Sequence, residues 1–225
     1  MKLNTLAKFL LVAHHPEKGR FLISSIHINY GIIGAALLEM SRDGQIKIEG
    51  NKLILIKNEA SDHPIISEIS TEIRNSKKPR KVKYWVTKLA QRSRKFKWII
   101  LSDLEKNKLL RIEEKKFLGL IPYRKTYLIG AATRENMIRQ LRNNVLFRSE
   151  LEEDSILMLG LVEACKMHKI ITSDRVELKK LKKELKEVIK ESSITETADK
   201  TIKEVQAAIV RAISASAAAA TAGAT

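Results

Sequence analysis

The stretch VKYWVTKLAQRSRKFKWIILSDL, residues 82–104, indicates a helical protein, because its apolar side chains recur at the spacing of an α-helix. The apolar positions are 82, 85, 86, 89, 96, 100 and 104, with one gap near Ser93. Trp85 and Phe96 lie on this apolar side. We therefore predict one helix that buries both aromatic rings in a core.

The other side of the same stretch is basic. Residues 77–97, KKPRKVKYWVTKLAQRSRKFK, contain ten Lys or Arg and no Asp or Glu. Helical spacing places these charges on a surface, with Arg94 and Lys97 one turn apart. We expect an anion-binding surface centred on four of them, with three lysines adding long-range attraction: Arg92, Arg94, Lys95 and Lys97, then Lys81, Lys83 and Lys88. A solvated basic face is the simpler alternative.

The rest of the chain alternates between helical patterns and two β-hairpins. Helices are predicted over 3–13, 31–41, 64–75, 134–148 and 155–169. GQIKIEGNKLILIKN alternates about Gly50 and Asn51, which predicts a hairpin with a tight turn. LRIEEKKFLGLIPYRKTYLI predicts a second hairpin, in which Pro122 requires an edge or bulge position.

The last fifty residues add two amphipathic helices. Their apolar stripes are Leu178, Leu181, Leu185 and Val188, then Ile202, Val205, Ile209 and Ile213. An Ala-rich tail over 214–225 is prone to fray. The predicted fold is mainly α, a single compact helical domain over 1–225 with peripheral β-hairpins.

Composition limits the class of partner. The 225 residues carry a formal charge of +16, which favours nucleic acid or an acidic membrane surface. No run reaches the roughly twenty apolar residues that span a bilayer, so membrane contact is expected to be peripheral. The first apolar stretch is also too short for a signal sequence, which predicts a cytoplasmic location. Cys165 is the only cysteine and lies among apolar residues, so we assign it to the core.

Catalytic patterns are missing from the sequence. It has no Gly-rich phosphate loop, HExxH, GxSxG or CxxC. The five histidines lack metal-ligand spacing, and the adjacent pairs Glu113–Glu114 and Glu152–Glu153 point to different faces. We therefore predict a protein that is not an enzyme and has no metal or cofactor.

Two binding functions remain. A helix followed by a hairpin, twice, in a basic chain is typical of winged-helix DNA-binding proteins. The recognition-helix candidates, GIIGAALLEMS and WIILSDLEKNKLL, lack the Arg, Asn and Gln cluster that reads base edges. A broad basic surface without base-reading groups instead favours lipid headgroups.

Five segments in consistent order resemble the Golgi phosphoprotein 3 family, including its prokaryotic members. They are EKGRF (17–21), ALLEMSRDGQIKIEGNKLIL (36–55), KVKYWVTKL (81–89), LEKNKLLRIEEKKFLGL (104–120) and AAIVRAISASAAAA (207–220). The resemblance implies a mainly helical domain with a hairpin that mediates self-association. It also implies peripheral binding to phosphatidylinositol 4-phosphate, and an adaptor role that binds the cytoplasmic tails of membrane enzymes.

The family's lipid-binding residues are only partly retained. Its Trp and Arg positions fall on Ser24 and Ile33, so both are lost. Its two basic residues three apart fall on Arg94 and Lys97 after a slip of one residue. The resemblance therefore implies a protein that binds an anionic surface on the cytoplasmic face of a membrane.

The second hairpin is the predicted site of self-association. Its apolar residues, on an edge expected to be exposed, are Phe117, Leu118, Leu120 and Ile121.

Overall fold

The computed structural model describes residues 3–57, 61–118, 120–149, 151–191 and 196–222. Ten helices lie within these ranges: α1 Thr5–Ala13, α2 Ser25–Arg42, α3 Pro64–Arg74, α4 Val82–Ala90, α5 Ser93–Lys106, α6 Ala131–Leu146, α7 Glu153–Ala164, α8 His168–Ile171, α9 Arg175–Glu191 and α10 Glu196–Ala222. The five strands are β1 Ile46–Glu49, β2 Lys52–Leu55, β3 Arg80–Lys81, β4 Leu110–Phe117 and β5 Ile121–Leu128. The 64% helix content is about twice the globular average, which confirms the mainly α prediction.

Helix α2 lies at the centre of the core and packs against α1, α7 and α10. Its glycines allow this close approach, because a Cβ at Gly31 would lie 2.1 Å from Phe9 Cζ. A Cβ at Gly34 would lie 2.4 Å from Ile209 Cδ1. Every helix contributes buried apolar side chains to one continuous cluster. The helix predicted over 31–41 is thus correct in kind, but it begins earlier, at Ser25.

A buried ionic network joins α1, α2 and α7. Glu39, only 7% exposed, accepts the backbone N–H of Thr5 at 2.6 Å and an Arg42 N–H at 2.7 Å. Arg42 also donates to Asp154 at 2.7 Å, and Asp154 accepts from Lys8 at the same distance. These contacts tie together three helices that enclose the core.

The first hairpin forms as predicted. Gly50 and Asn51 have φ values of +50° and +65°, the left-handed conformation that a tight hairpin turn requires. β1 and β2 pair antiparallel from Ile46↔Leu55 to Glu49↔Lys52. β3 then adds two residues to β2, so the start of the basic stretch is attached to this sheet.

The helix predicted over 82–104 is two helices. α4 ends at Ala90 and α5 begins at Ser93, whose hydroxyl donates to the Ala90 carbonyl at 2.6 Å. Trp85 and Phe96 are 1% and 0% exposed, so both are buried as predicted. The apolar pattern correctly identified the buried side chains but did not show the break, which lies at the gap near Ser93.

A similar break interrupts the helix predicted over 155–169. α7 ends at Ala164, and Lys166 takes a left-handed φ of +55° before α8 begins. The stripe on α9 packs into the core at Leu181, Leu185 and Val188. The apolar residues predicted on α10 are buried, and the helix continues through the Ala-rich region to Ala222.

The second hairpin consists of β4 and β5, paired from Leu110↔Leu128 to Phe117↔Ile121. Both strands of a two-stranded sheet are edges, which accommodates Pro122 as predicted. Leu118 and Leu120 at the tip are 80% and 84% exposed. The apolar tip therefore faces solvent in the isolated chain.

Candidate functional site

The structure divides the predicted basic cluster into three groups. Lys88, Arg92 and Lys95 face α3, whose Glu68 and Glu72 lie one turn apart. Glu72 contacts Lys88 at 2.7 Å and also contacts Arg92. Glu68 contacts Arg92 at 2.9 Å and Lys95 at 2.6 Å. Two carboxylates therefore bind three of the seven predicted cations.

This pairing corrects the expectation that the basic stretch is unneutralised. A hydrogen bond from Lys88 lowers the pKa of Glu72. Burial would raise the pKa of Glu68, but hydrogen bonds from Lys95 and Arg92 lower it overall. Both glutamates remain ionised and offset the nearby positive charge. The acids were missed because they lie 16 to 27 residues before their partners in the chain.

Lys97 lies on the opposite side of α5 and lines a groove of about 280 Å³. Arg94 lies one turn earlier on α5, close enough for its charge to act on Lys97, but it does not line the groove. The α5 groove lies between the loop before α2, the start of α2, α5 and β5. Its lining residues are Gly19, Arg20, Phe21, Ile23, Ser25, Ile28, Asn29, Lys97, Trp98, Leu101, Arg124 and Thr126. Neither Arg94 nor Lys97 has a carboxylate within 4.0 Å in the part of the chain that the structure describes.

Trp98 gives the α5 groove an aromatic wall between two cations. Lys97 Nζ lies 5.7 Å from the centre of the Trp98 ring, and Arg124 Cζ lies 5.5 Å from it. Burial and the charge of Arg94 lower the pKa of Lys97. Arg124 also contacts Glu114 at 3.0 Å, but this pair is exposed and offers little competition to an anion.

The loop on the other side of the α5 groove is held against β5. The Nδ1–H of His14 donates to the His15 carbonyl at 2.7 Å, so Nε2 accepts from the Thr126 hydroxyl at 2.9 Å. Burial and the nearby charge of Arg134 lower the pKa of His14, which keeps the ring neutral. Gly19 fits closely here, because a Cβ would lie 2.7 Å from the Thr126 carbonyl oxygen. The loop and the strand thus form one wall.

Ser24 and Ile33, where the family has Trp and Arg, take no part in the wall. Ser24 precedes α2, and its hydroxyl bonds to His27 at 2.7 Å, whereas Ile33 is fully buried in the core. The aromatic side chain instead comes from Trp98, which the sequence analysis missed. Its position next to Lys97 was a local signal, but its approach to Arg124 is tertiary.

Lys81 and Lys83 line a different and larger groove, of about 800 Å³, between β2, β3 and α4. We call it the α4 groove. Its lining residues are Lys52, Lys78, Pro79, Arg80, Lys81, Lys83, Tyr84, Thr87, Lys88 and Gln91. It shares no lining residue with the α5 groove. The structure therefore does not bring the seven predicted cations to one site.

The buried position of Cys165 confirms its assignment to the core. Its side chain is fully buried, and burial raises the pKa of its thiol to about 12. A thiol that stays protonated is a poor nucleophile.

The fold defines the class of small, mainly α proteins with a projecting hairpin and a groove lined by Arg20, Lys97 and Arg124. The family model described as Golgi phosphoprotein 3 (GPP34) matches residues 6–216, nearly the whole chain. The chain belongs to the Golgi phosphoprotein 3 family, as its sequence segments indicated.

No curated protein sequence matches the chain. Its family is not a known enzyme family, and membership does not favour the winged-helix alternative. Among the described helices, none has the length and hydropathy needed to span a bilayer.

Proposed function

We propose that this protein binds membranes peripherally, on their cytoplasmic face, by accepting anionic lipid headgroups in the α5 groove. The observation that supports this function is the unpaired state of Lys97 in a groove that Arg20 and Arg124 also line, with the unpaired Arg94 one turn away on α5. The headgroup class is a phosphorylated inositol, by analogy with phosphatidylinositol 4-phosphate binding in the family. Trp98 provides an apolar face beside Lys97 and Arg124, the two cations that would hold the phosphate.

The strength of this site suits reversible recruitment. A basic residue near an acidic leaflet contributes about 1 kcal/mol. Four such residues give at most about 4 kcal/mol, on the order of a thousandfold in partitioning. Arg92, Lys95 and Lys88 contribute less than the sequence suggested, because Glu68 and Glu72 offset their charge.

The test is cosedimentation of the full chain with vesicles. The double variant Arg94→Glu with Lys97→Glu should lose binding to vesicles that contain phosphatidylinositol 4-phosphate. A control variant, Lys179→Glu with Lys183→Glu on exposed positions of α9, makes the same change in net charge and should retain it. Equal losses in the two variants would show that only total charge matters, and would contradict the α5 groove as the site.

Vesicle composition tests the lipid class. Vesicles matched in total charge but containing phosphatidylserine should bind more weakly than those with the phosphoinositide. Duplex DNA, compared across a salt series, should bind more weakly than either. The nucleic-acid alternative would be favoured if duplex DNA bound more tightly than the vesicles and this DNA binding were lost in the Arg94→Glu with Lys97→Glu variant.

The exposed hairpin tip supports self-association as part of the proposal. Phe117 and Ile121 are 58% and 62% exposed and are paired across the two strands. Replacing Leu118 and Leu120 with Ser should shift sedimentation toward monomer, because the apolar contact is lost. A parent protein that is strictly monomeric at high micromolar concentration would contradict this part.

An adaptor role is the least direct part of the proposal. It rests on membership of the family and on the adaptor role that the resemblance to its eukaryotic members implies, which is binding to the cytoplasmic tails of membrane enzymes. Vesicles that display such a tail should retain more of this protein than vesicles of the same lipid without it.

A further inference from the structure

We propose that the α4 groove is a second anion-binding site, which binds a soluble, multiply phosphorylated small molecule with a planar ring, of the nucleoside triphosphate class. The site is formed by β2, β3 and α4, and therefore does not depend on lipid binding in the α5 groove.

The first observation is a concentration of positive charge without counter-charge. Five cations line the α4 groove and have no carboxylate within 4.0 Å in the described ranges: Lys52, Lys78, Arg80, Lys81 and Lys83. Nearby cations are paired, since Lys47 contacts Glu49 at 2.6 Å and Lys88 contacts Glu72 at 2.7 Å. Like charges gathered around one concavity repel each other, and a multivalent anion would relieve that repulsion.

The second observation is an unsatisfied donor in the same groove. The Nε of Arg80 is buried and has no hydrogen-bond partner among the described residues. Buried donors are nearly always paired, so this guanidinium lacks a contact that such groups usually make. A phosphate oxygen is the acceptor that arginine binds best, because the guanidinium donates in a planar fork.

The third observation is an exposed aromatic ring next to these cations. Tyr84 is 41% exposed, and the edge-on contact with Trp85, at 5.2 Å between ring centres, holds it in place. The Arg80 guanidinium lies 5.0 Å from its centre. A planar ring on the ligand can stack against this pair while its phosphates reach the lysines.

The order of residues along α4 gives the ligand a direction. Lys83 and Thr87 are four residues apart and lie in one row on α4, and Gln91, four residues further, directly follows the last residue of the helix. The row changes from a cation to a hydroxyl and then to an amide. Phosphates therefore fit near Lys81 and Lys83, at the N-terminal end of α4, whose N-cap makes no side-chain capping bond. The ring fits beside Tyr84, from which the row continues to the neutral side chains of Thr87 and Gln91.

The shape of the α4 groove favours a small molecule over a larger anion. Its volume of about 800 Å³ lies within the range of ligand pockets. A polynucleotide needs a longer track with several stacking rings, whereas one exposed aromatic ring lines this groove.

The test measures binding of ATP, tripolyphosphate and orthophosphate to the full chain by calorimetry. ATP should bind more tightly than tripolyphosphate, and orthophosphate most weakly. The variant Lys81→Glu with Lys83→Glu should lose at least about tenfold in ATP affinity. The α9 control, Lys179→Glu with Lys183→Glu, should change it by less than about twofold, although its net charge is the same.

Further variants separate the parts of the proposal. Tyr84→Leu should reduce ATP affinity to that of tripolyphosphate, because it removes the stacking surface. Arg94→Glu with Lys97→Glu should retain ATP binding, even if it loses lipid. Because Lys81 and Lys83 are exposed, unchanged thermal midpoints should show that their variants fold.

Three results would overturn the proposal. One is equal loss of ATP affinity in the α4 and α9 variants, which would indicate non-specific attraction. Another is identical affinity for ATP and tripolyphosphate with no effect of Tyr84→Leu. The third is an affinity for duplex DNA that is higher per phosphate group than the affinity for ATP. This DNA binding would also have to be lost in the Lys81→Glu with Lys83→Glu variant.

Discussion

The two sides of the α4–α5 segment contain similar cations in different electrostatic states. Toward α3, Arg92 and Lys95 meet Glu68 and are held at 2.9 Å and 2.6 Å. On the side of the α5 groove, Arg94 and Lys97 are again an arginine and a lysine three residues apart. Neither has a carboxylate partner among the described residues. The difference shows that the tertiary position of a few acids, more than the local density of lysine and arginine, determines which cations are available to an anion.

Ion pairs in this protein also differ in how far they are buried. This difference gives the largest expected effect of a substitution, which is on the free energy of unfolding. Glu39→Ala leaves the partly buried Arg42 with Asp43 and Asp154 as its partners, and the Thr5 N–H without its acceptor. A buried donor left without an acceptor costs about 1–3 kcal/mol, to which the lost ion pair adds. The measurement is the free energy of unfolding from denaturant titration.

The matched variant is Glu72→Ala, which breaks two pairs at the surface, with Lys88 and with Arg92. Exposed pairs contribute about 0–1 kcal/mol, so this variant should remain close to the parent. Equal destabilisation by the two substitutions would contradict the distinction between buried and surface pairs.

The comparison of the two sides is tested by removing the same residue types from each. Arg94→Ala with Lys97→Ala should weaken binding to acidic vesicles by at most about thirtyfold, since two cations of about 1 kcal/mol each are lost. Arg92→Ala with Lys95→Ala removes one Arg and one Lys as well, but from the paired side. Its effect should be several times smaller.

If the second variant weakens vesicle binding as much as the first, pairing does not control availability in this protein. Thermal midpoints should be compared for both, because the Arg92 and Lys95 variant also breaks contacts with α3.

The smallest expected effect is a pH dependence at Lys97. Its lowered pKa means that the ammonium loses its proton at a lower pH than the ordinary lysine value of 10.5. The charged form binds the anion, so affinity should be full below the pKa of Lys97 and fall as the pH rises toward 10.5. Lys97→Arg keeps its charge and should retain affinity over the same interval. Parallel pH profiles for parent and variant would exclude Lys97 as the titrating group.

The sequence predicted the parts of the fold that depend on local chemistry. Gly50 and Asn51 favour a tight turn wherever they occur between strands, and helical periodicity alone placed Trp85 and Phe96 in the core. The break near Ser93 appeared in the sequence only as a gap in the apolar pattern. In the structure the Ser93 hydroxyl donates to the Ala90 carbonyl at this break.

The candidate sites were less predictable, because they depend on contacts between distant segments. Nothing in residues 77–97 shows that Glu68 and Glu72 lie opposite Arg92. The approach of Arg124 on β5 to Trp98 on α5 likewise depends on how the hairpin packs. The sequence therefore predicted an abundance of charge, and the structure divided it between two grooves and a neutralised surface.

The sharing of two carboxylates among three cations has an evolutionary consequence. Glu72 alone contacts both Lys88 and Arg92, and Glu68 alone contacts both Arg92 and Lys95. One substitution at either glutamate changes the surroundings of two cations at once. Substitutions at these two positions of α3 can therefore change how many of Lys88, Arg92 and Lys95 are available to an anion, while every lysine and arginine of the 77–97 segment stays the same.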